Sequence, residues 1–429
     1  MARIAFLADD LTGGADVLAQ ANAFGLQAVM VLDPAEAANT NADVVGVAGA
    51  ARSLSGLEFD QVVTEALNAL RDLQPDVLIY KVCSTFDSSP TIGSIGRAIE
   101  LLHQTVPTAG PIPVVPAQPG FGRYTAFAQH FGTYGDAVHR LDRHPVMSHH
   151  PCTPMTEAVL RIILSLQLRS GKLPGLIDLG VQEIGDFAAA WAAAVRGTNE
   201  AFVVDAINET HMDNVARELL RGRPSLVVGS GGIMSALART LTGETRQAAP
   251  DTTTANGPVL VVSASASRTS ADQIKHAGAN GFVSVPIPPE SIGDDSTEAI
   301  EWIEEVLQAL RDGRDVVAHT ACGPEDPRLQ TRDDLTASLV GGTMGRVAAE
   351  AARRGLSRDI VIAGGDTSSH ALAAAGVNQI RMSEQFVTAG PICVADDNSG
   401  LGGCRLLLKG GQVGPIDVFT RFRGVRAPR

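Results

Sequence analysis

Positive charge is scarce in this 429-residue chain, and no run of lysine or arginine occurs. The 34 Lys and Arg residues face 47 Asp and Glu residues, which gives a formal net charge of −13. The long-range field of such a protein repels nucleic acid and anionic membranes. We therefore expect neither as a partner. An anionic small molecule remains compatible with this charge, because backbone N–H groups and a few cations can reverse the sign inside one cleft.

Cysteine is also scarce and is not arranged in pairs. The five residues form no C-x-x-C motif, and their odd number argues against a complete disulfide framework: Cys83, Cys152, Cys322, Cys393 and Cys404. The N-terminal segment lacks the pattern of a secretory signal, and no apolar run is long enough to span a bilayer. We expect a soluble protein of the reducing cytoplasm.

Short β-branched runs alternate with Ala- and Leu-rich helical patterns, which predicts an α/β fold with mostly parallel sheets flanked by helices. The expected strands are 4–8, 42–48, 77–80, 112–115, 201–205, 225–228, 259–262, 316–319, 359–363 and 405–409. A polar stretch rich in Thr, Ala, Gly and Pro interrupts the series. We therefore expect two α/β domains, residues 1–242 and 258–429, joined by a linker at 243–257 and separated by a cleft.

Two adjacent carboxylates follow the first strand. Asp9 and Asp10 come directly before Leu11-Thr12 and two glycines, where a helical pattern begins. In an open parallel sheet, ligands bind beyond the carboxyl ends of the strands, beside helix N-termini. One acid would suffice as a helix cap, and two adjacent acids repel each other unless something uses them. This turn therefore indicates a functional site more than a simple cap.

Strand ends in the second domain are rich in serine or glycine. They are Ser263–Ser267, Gly364–Ser369 and the glycines around the last strand, including Gly402 and Gly410. Backbone N–H groups can approach phosphate oxygens closely where no Cβ intervenes, so these loops predict a nucleotide site. Neither a P-loop nor a complete G-x-G-x-x-G motif occurs. The nearest match, Val228–Gly232 in the first domain, fits helix packing and ligand contact equally well.

The order of these motifs resembles that of the four-carbon acid sugar kinases over nearly the whole chain. Members carry A-D-D-L-T-G-A near the N-terminus, matched here by Ala8–Gly14 with Gly14 in place of the last Ala. They also carry a serine-rich strand end, like Ser263–Ser267, and a G-G-[DE]-T-S loop, like Gly364–Ser368. The segment Gly122-Arg123 is similar to a further family stretch.

The resemblance implies an ATP-dependent kinase that phosphorylates a hydroxyl of a small sugar acid, four-carbon or branched, with or without an oxo group. Residues 1–242 would bind the acid and residues 258–429 would bind ATP. Asp9 and Asp10 would be catalytic, one of them accepting the proton of the attacking hydroxyl. The residues implied to contact ATP are Ser263, Ser265, Gly364, Gly365, Asp366, Thr367, Gly402 and Gly410. Mg²⁺ is expected with the ATP phosphates, with Asp366 as an indirect contact.

One family motif is altered. The family's K-x-D-S-T-L-R-G reads Lys81-Val82-Cys83-Ser84-Thr85-Phe86-Asp87-Ser88 here, which loses the Asp and the Arg. Arg binds a carboxylate through a bidentate fork, whereas Asp repels it, so either the charged end of the substrate is held differently or the substrate differs. This favours a branched or oxidised acid such as a 3-oxo-isoapionate-like compound, beside threonate, erythronate and oxo-tetronate. The candidate replacement cations are Lys81, Arg97 and Arg123, and the predicted substrate-binding residues are Thr12, Lys81, Ser84, Thr85 and Arg123.

The sequence also leaves alternatives open. His144, His149, His150 and Cys152 lie close in sequence but lack the paired spacing of a zinc site, so we expect no metal bound by them. Cys83 follows a buried strand, where an inert small side chain is more common than a nucleophile. A catalytically silent sugar-acid sensor and an NAD-dependent dehydrogenase remain alternative functions. The oligomeric state is open, and a homo-oligomer is one of the alternatives.

Overall fold

The chain folds into two compact units, Met1–Gln247 and Ala248–Arg429. The computed structural model describes residues 3–107, 110–149, 153–246, 254–293, 297–330, 335–387, 390–411 and 413–424, without the side chain of Asp366. None of the described helices is both long and apolar enough to cross a membrane.

The first unit is built on a parallel sheet with the strand order β2-β3-β1-β4-β11-β5-β10-β9. The strands of this unit are β1 (Ile4–Ala8), β2 (Ala28–Val31), β3 (Val44–Ala48), β4 (Val77–Lys81), β5 (Ile112–Val115), β6 (Arg123–Ala126), β7 (Gln129–Tyr134), β8 (Ala137–Arg140), β9 (Gly175–Ile177), β10 (Ala201–Val204) and β11 (Ser225–Gly229). Its helices are α1 (Leu11–Asn22), α2 (Gly56–Asp72), α3 (Ile95–Thr105), α4 (Leu160–Gln167), α5 (Leu179–Ile184), α6 (Phe187–Ala194), α7 (Glu209–Arg221) and α8 (Gly231–Thr242).

The second unit contains β12 (Val259–Ser263), β13 (Val283–Pro286), β14 (Val316–His319), β15 (Asp359–Ala363), β16 (Gln379–Val387), β17 (Gly390–Ala395) and β18 (Arg405–Lys409) in the order β13-β14-β12-β15-β18-β17-β16. The first five strands of this order are parallel, and β17 runs antiparallel to both its neighbours. The helices are α9 (Arg268–Ala279), α10 (Thr297–Arg311), α11 (Ala337–Arg353), α12 (Gly365–Ala374) and α13 (Val418–Arg423).

Strands that are buried on both faces explain why the sequence shows continuous apolar runs. Every residue of β1, β12 and β15 is buried, as expected where helices cover both faces of a parallel sheet. In the second unit, Val261, Val361 and Leu407 belong to one core cluster together with Phe419 and Phe422 of α13. The predicted α/β class with mostly parallel sheets is confirmed.

Two antiparallel features were absent from the sequence interpretation. Strands β6, β7 and β8 form a separate three-stranded sheet, and β16 pairs with β17 as an irregular hairpin. Most residues of β6 and β8 are only partly buried or exposed. They therefore lack the apolar runs that marked the parallel strands.

Parallel register places the ends of three neighbouring strands at one level. Ala8 at the end of β1 lies opposite Ala48 of β3 and Lys81 of β4. The segments that follow these residues therefore meet at the same edge of the sheet, where parallel α/β proteins bind ligands. Short 3₁₀ helices include Ala51–Ser53, which comes shortly after β3.

Candidate functional site

Asp9 and Asp10 form the turn between β1 and α1. Asp10 is the N-cap of α1, and its Oδ1 accepts a 2.8 Å hydrogen bond from the N–H of Gly13. The N–H of Asp9 donates to the carbonyl of Lys81 over 3.0 Å, which ties the turn to the end of β4. Both acids are almost fully buried, 4% and 6% exposed. The helix cap thus accounts for one oxygen of one acid and leaves the second acid unexplained.

Arg52, which the sequence interpretation did not single out, connects the two acids. Its Nη2 lies 2.9 Å from Oδ1 of Asp9 and 2.8 Å from Oδ1 of Asp10. Burial raises the pKa of Asp9, while the positive charges of Arg52 and Lys81 oppose that rise. Burial alone would lower the pKa of Arg52, but the charges of Asp10 and Asp9 outweigh it and hold that pKa well above its usual value. Arg52 follows an apolar strand at its carboxyl end, which was the available sequence signal.

Two glycines allow this packing. A Cβ on Gly13 would lie 2.5 Å from Oδ1 of Asp10 and 3.1 Å from Nζ of Lys81. A Cβ on Gly14 would lie 2.1 Å from Sδ of Met30, so the present position of Met30 requires glycine there. Thr12 lies half-buried in the first turn of α1. The predicted residues Asp9, Asp10, Thr12 and Lys81 therefore share one small region.

The altered motif forms a hydrogen-bonded chain. Thr85 donates its hydroxyl to Oδ1 of Asp87 over 2.8 Å, and Sγ of Cys83 lies 2.9 Å from the same hydroxyl oxygen. Because the Thr85 proton is directed at Asp87, the thiol is the donor to Thr85. Burial, followed by the charge of Asp87, raises the pKa of Cys83 to about 11. Cys83 is therefore a protonated thiol at neutral pH and not a nucleophile.

His130, on β7 of the three-stranded sheet, is hydrogen-bonded to this motif. Its Nε2 lies 2.8 Å from the carbonyl oxygen of Ser84, so Nε2 carries the proton and donates it. Its Nδ1 accepts from the hydroxyl of Thr125 over 2.9 Å. Burial lowers the pKa of His130 to about 4, which keeps the ring neutral.

Arg123 begins β6 on the same small sheet. Its Nη1 donates to the carbonyls of Phe121, Gly122 and Thr133, and its Nε is buried with no hydrogen-bond partner among the residues described. Burial lowers the pKa of Arg123, while the negative charge of Asp87 acts in the opposite direction. Within the described part of the chain, Arg123 forms no ion pair with a carboxylate, so its charge is available to an anionic ligand.

Other sequence candidates lie elsewhere or have structural roles. Arg97 donates to both carboxylate oxygens of Asp60, at 2.8 and 2.7 Å, and to Glu100, so it serves a structural ion-pair cluster. In the first unit's glycine turn, a Cβ on Gly231 would lie 2.1 Å from Oδ2 of Asp16, and one on Gly232 would lie 2.3 Å from the carbonyl oxygen of Ala117. Both glycines serve close packing.

The histidine-rich segment has local partners where it is described. Nδ1 of His144 accepts from the N–H groups of Val146 and Met147, both at 3.2 Å. Nδ1 of His149 lies 2.9 Å from the hydroxyl of Ser148. His150 and Cys152 lie outside the described residues. Across the described ranges, no group of three His, Cys, Asp or Glu side chains could hold a metal ion.

In the second unit, the serine-rich loop after β12 packs on the loop after β18. The hydroxyls of Ser267 and Ser270 donate to the carbonyl of Gly411 over 2.6 and 3.0 Å. A Cβ on Gly411 would lie 2.5 Å from Oγ of Ser265, so this contact requires glycine. Ser263, the last residue of β12, is fully buried.

Gly364 joins β15 to α12 at the same edge. Its N–H donates to the carbonyl of Lys409 over 3.0 Å, and its φ of 147° favours glycine. A Cβ there would also lie 2.4 Å from Oγ1 of Thr367. Among the described side chains, none caps the N-terminus of α12. Gly364, Gly365 and Thr367 therefore surround the start of this helix, next to Gly410; the side chain of Asp366 lies outside the described structure.

Gly402 does not join this group. The carbonyl of Gly402 accepts from Arg358, which precedes β15, and Gly402 itself comes shortly before β18. It therefore lies at the amino ends of these strands, the edge opposite Gly364 and Gly410. A Cβ on Gly402 would lie 2.4 Å from the carbonyl oxygen of Asp397, so a tight turn accounts for this glycine.

Known proteins match the chain over nearly its whole length. Residues 4–237 match the family of sugar-binding N-terminal domains, and residues 260–419 match the nucleotide-binding C-terminal domains. A 3-oxo-isoapionate kinase of Paraburkholderia graminis is 33% identical, covering 98% of this chain and 94% of its own. A 3-oxo-tetronate kinase of Cupriavidus necator is 29% identical, covering 96% and 94%.

Solved structures share the fold. A protein from Salmonella typhimurium LT2 superposes with a TM-score of 0.79 at 22% identity, covering 98% of both chains. A protein from Haemophilus influenzae superposes with a TM-score of 0.72 at 23% identity, covering 98% of this chain and 99% of its own. At these identities the likeness concerns the architecture alone.

Proposed function

The chain belongs to the four-carbon acid sugar kinase family, and from this membership we propose that it transfers the γ-phosphoryl group of ATP to a hydroxyl of a small 3-oxo sugar acid. Residues 1–242 would bind the acid and residues 258–429 the nucleotide, with 243–257 as the linker. A 3-oxo-isoapionate-like, branched acid is the preferred substrate, since the 33% identical relative is named for it. The observation that carries the proposal is the buried Asp9–Asp10 pair bridged by Arg52.

Asp10 is the proposed general base. Its Oδ1 already accepts from Gly13 and Arg52, whereas its Oδ2 accepts no hydrogen bond from the described residues. That oxygen remains for the proton of the acceptor hydroxyl. Both oxygens of Asp9 accept from Arg52, so Asp9 is proposed to position the guanidinium rather than to take the proton. Phosphoryl transfer depends mainly on such alignment and on charge neutralisation.

The carboxylate of the substrate is proposed to lie towards Arg123. In the described ranges, Arg123 has neither a carboxylate partner nor a hydrogen-bond partner for its Nε. Asp87 stands where the family carries Arg, and it would repel a carboxylate at its own position. Lys81 and the backbone and hydroxyl groups of Ser84 and Thr85 complete the proposed acceptor site. The positive charge that binds the substrate carboxylate would then lie at Arg123 rather than at position 87, which would change which sugar acid fits the site.

ATP is proposed to bind at the edge formed by Ser263, Ser265, Gly364, Gly365, Thr367 and Gly410, with Asp366 added from the family motif. Mg²⁺ is proposed to arrive with the nucleotide, because Mg²⁺ usually keeps several waters and binds through substrate phosphates. The absence of a three-ligand cluster among the described side chains fits that mode of binding better than an all-protein site. When bound, Mg²⁺ would neutralise phosphate charge.

The test is ADP release from ATP with a panel of acids: 3-oxo-isoapionate, 3-oxo-tetronate, D-threonate and D-erythronate. We expect ADP release with at least one 3-oxo acid, and its loss in Asp10→Asn. Nucleotide binding without turnover on any acid would favour the silent sensor. Thermal stabilisation by NAD and not by ATP would favour a dehydrogenase and contradict the proposal.

A further inference from the structure

Lys409 places a buried amine at the end of β18. It is 0% exposed, and its Nζ has no hydrogen-bond partner among the described residues. The aromatic ring of Phe419, on α13, lies near this amine, with its centroid 5.8 Å from Nζ. Burial lowers the pKa of Lys409 to about 8, and no charged side chain of the described residues contributes to that change. An uncompensated buried ammonium is costly, so the fold alone gives no reason for a lysine here.

Ser263 presents a second unmet polar group at the same level of the sheet. It is 0% exposed, and its Oγ has no hydrogen-bond partner within the part of the chain that the structure describes. Ala363 of β15 lies opposite Ser263 on one side and opposite Lys409 on the other. Residues paired in this way in a parallel sheet point to the same face. Only the methyl group of Ala363 therefore separates the two positions.

A third set of donors lies at the same edge. Helix α12 starts at Gly365 with no cap from a described side chain, and the preceding Gly364 donates its N–H to the carbonyl of Lys409. The first N–H groups of a helix attract anions. An ammonium, a hydroxyl and a helix start thus all lack acceptors within the described residues around one strand edge. An anion with several oxygens could accept hydrogen bonds from all three groups at once.

We infer that Lys409 and Ser263 contact the phosphate chain of the nucleotide, and that Lys409 is the cation through which the second unit distinguishes ATP and ADP from adenosine. This inference rests on the proposed function; it adds Lys409 to the nucleotide site and assigns Ser263, already placed there, to the phosphate chain. In this arrangement the nucleotide supplies the counter-charge that the described residues do not provide at Lys409. The buried lysine would then lower the stability of the unit without nucleotide and, in return, make binding selective for phosphorylated ligands.

The test compares Lys409→Met with wild type by calorimetric titration with ATP, ADP and adenosine. We expect the affinity for ATP and ADP to fall about 10- to 100-fold, the range of a hydrogen bond to a charged group, with adenosine affinity unchanged. The thermal midpoint should be unchanged or higher, because Met removes a buried charge. Lys275→Met, which removes an exposed lysine from α9, is the matched control and should bind like wild type.

A second measurement needs no variant. Binding of phosphate beside Lys409 raises its pKa, so ADP binding at pH 8.5 should take up a proton, seen as a binding enthalpy that depends on the ionisation enthalpy of the buffer. Proton uptake absent in wild type, normal ADP binding by Lys409→Met, or equal losses for ADP and adenosine would each overturn the inference. Wild-type protein that binds no nucleotide would instead overturn the proposed function, and this inference with it.

Discussion

The guanidinium of Arg52 holds the carboxylate of Asp9 through two hydrogen bonds, 2.9 Å from Nη2 to Oδ1 and 3.2 Å from Nε to Oδ2. The same Nη2 reaches Asp10. Without this cation, two buried carboxylates would face each other at close range. The Arg52–Asp9 fork therefore places one positive charge against both acids at the end of β1.

Replacing Arg52 tests this role. Arg52→Ala should lower the free energy of unfolding of the first unit by about 3–5 kcal/mol, because it leaves buried carboxylates without their partner. Arg52→Lys keeps the positive charge but loses the bidentate fork. This variant should therefore be more stable than Arg52→Ala, but its kcat should still fall far below that of wild type. Denaturant unfolding and steady-state kinetics measure both effects. Arg97→Lys disrupts a comparable fork with Asp60 away from the acid pair, and its kcat should match wild type.

The two acids should respond differently to amidation. Asp10→Asn should lower kcat by about 10²- to 10⁴-fold with little change in stability, because the amide can still accept from Gly13 but cannot take a proton. Asp9→Asn should retain more turnover, because its proposed role is to position Arg52. Single-turnover phosphoryl transfer separates the chemical step from product release. If Asp9→Asn proved the more damaging change, the base would be Asp9.

The sequence located the acid pair and the strand ends but not the charges around them. Asp9, Asp10 and Lys81 follow apolar runs, and the pattern of those runs is enough to place all three at one edge of a sheet. Arg52 was missed because it lies on a 3₁₀ turn after β3, and its partner acids are over 40 residues away. In the sequence, Arg97 and Arg123 were equally good candidates to bind the substrate carboxylate. Tertiary packing shows that Arg97 already forms an ion pair with Asp60. Gly402 was grouped with Gly410 although it precedes β18 and Gly410 follows it, and the two ends of a strand lie at opposite edges of the sheet.

The thiol of Cys83 should report on Asp87. Burial and then the Asp87 carboxylate raise the pKa of Cys83 to about 11. Asp87→Asn removes the negative charge, so the thiol pKa should fall and alkylation of Cys83 at pH 9 should become faster. Iodoacetamide labelling across pH 8 to 11.5, followed by peptide mass spectrometry, gives the midpoint. Lys275→Met, on an exposed surface of the other unit, should leave that midpoint where it is in wild type; an unshifted midpoint in Asp87→Asn would disprove the electrostatic link.

His130 should make the first unit sensitive to acid. Its pKa is about 4 in the folded protein, below the ordinary value of 6.5, because the ring is buried neutral. A depressed folded pKa means that the unfolded chain takes up the proton first, so stability is full above pH 6.5 and is lost as the pH falls towards 4. The loss should be about 3 kcal/mol. His130→Gln keeps a donor to the Ser84 carbonyl but cannot titrate, so its stability should change less between pH 7 and 4.5. His149→Gln removes an exposed histidine and should reproduce the wild-type pH dependence; the same dependence in His130→Gln would assign the acid sensitivity to another group.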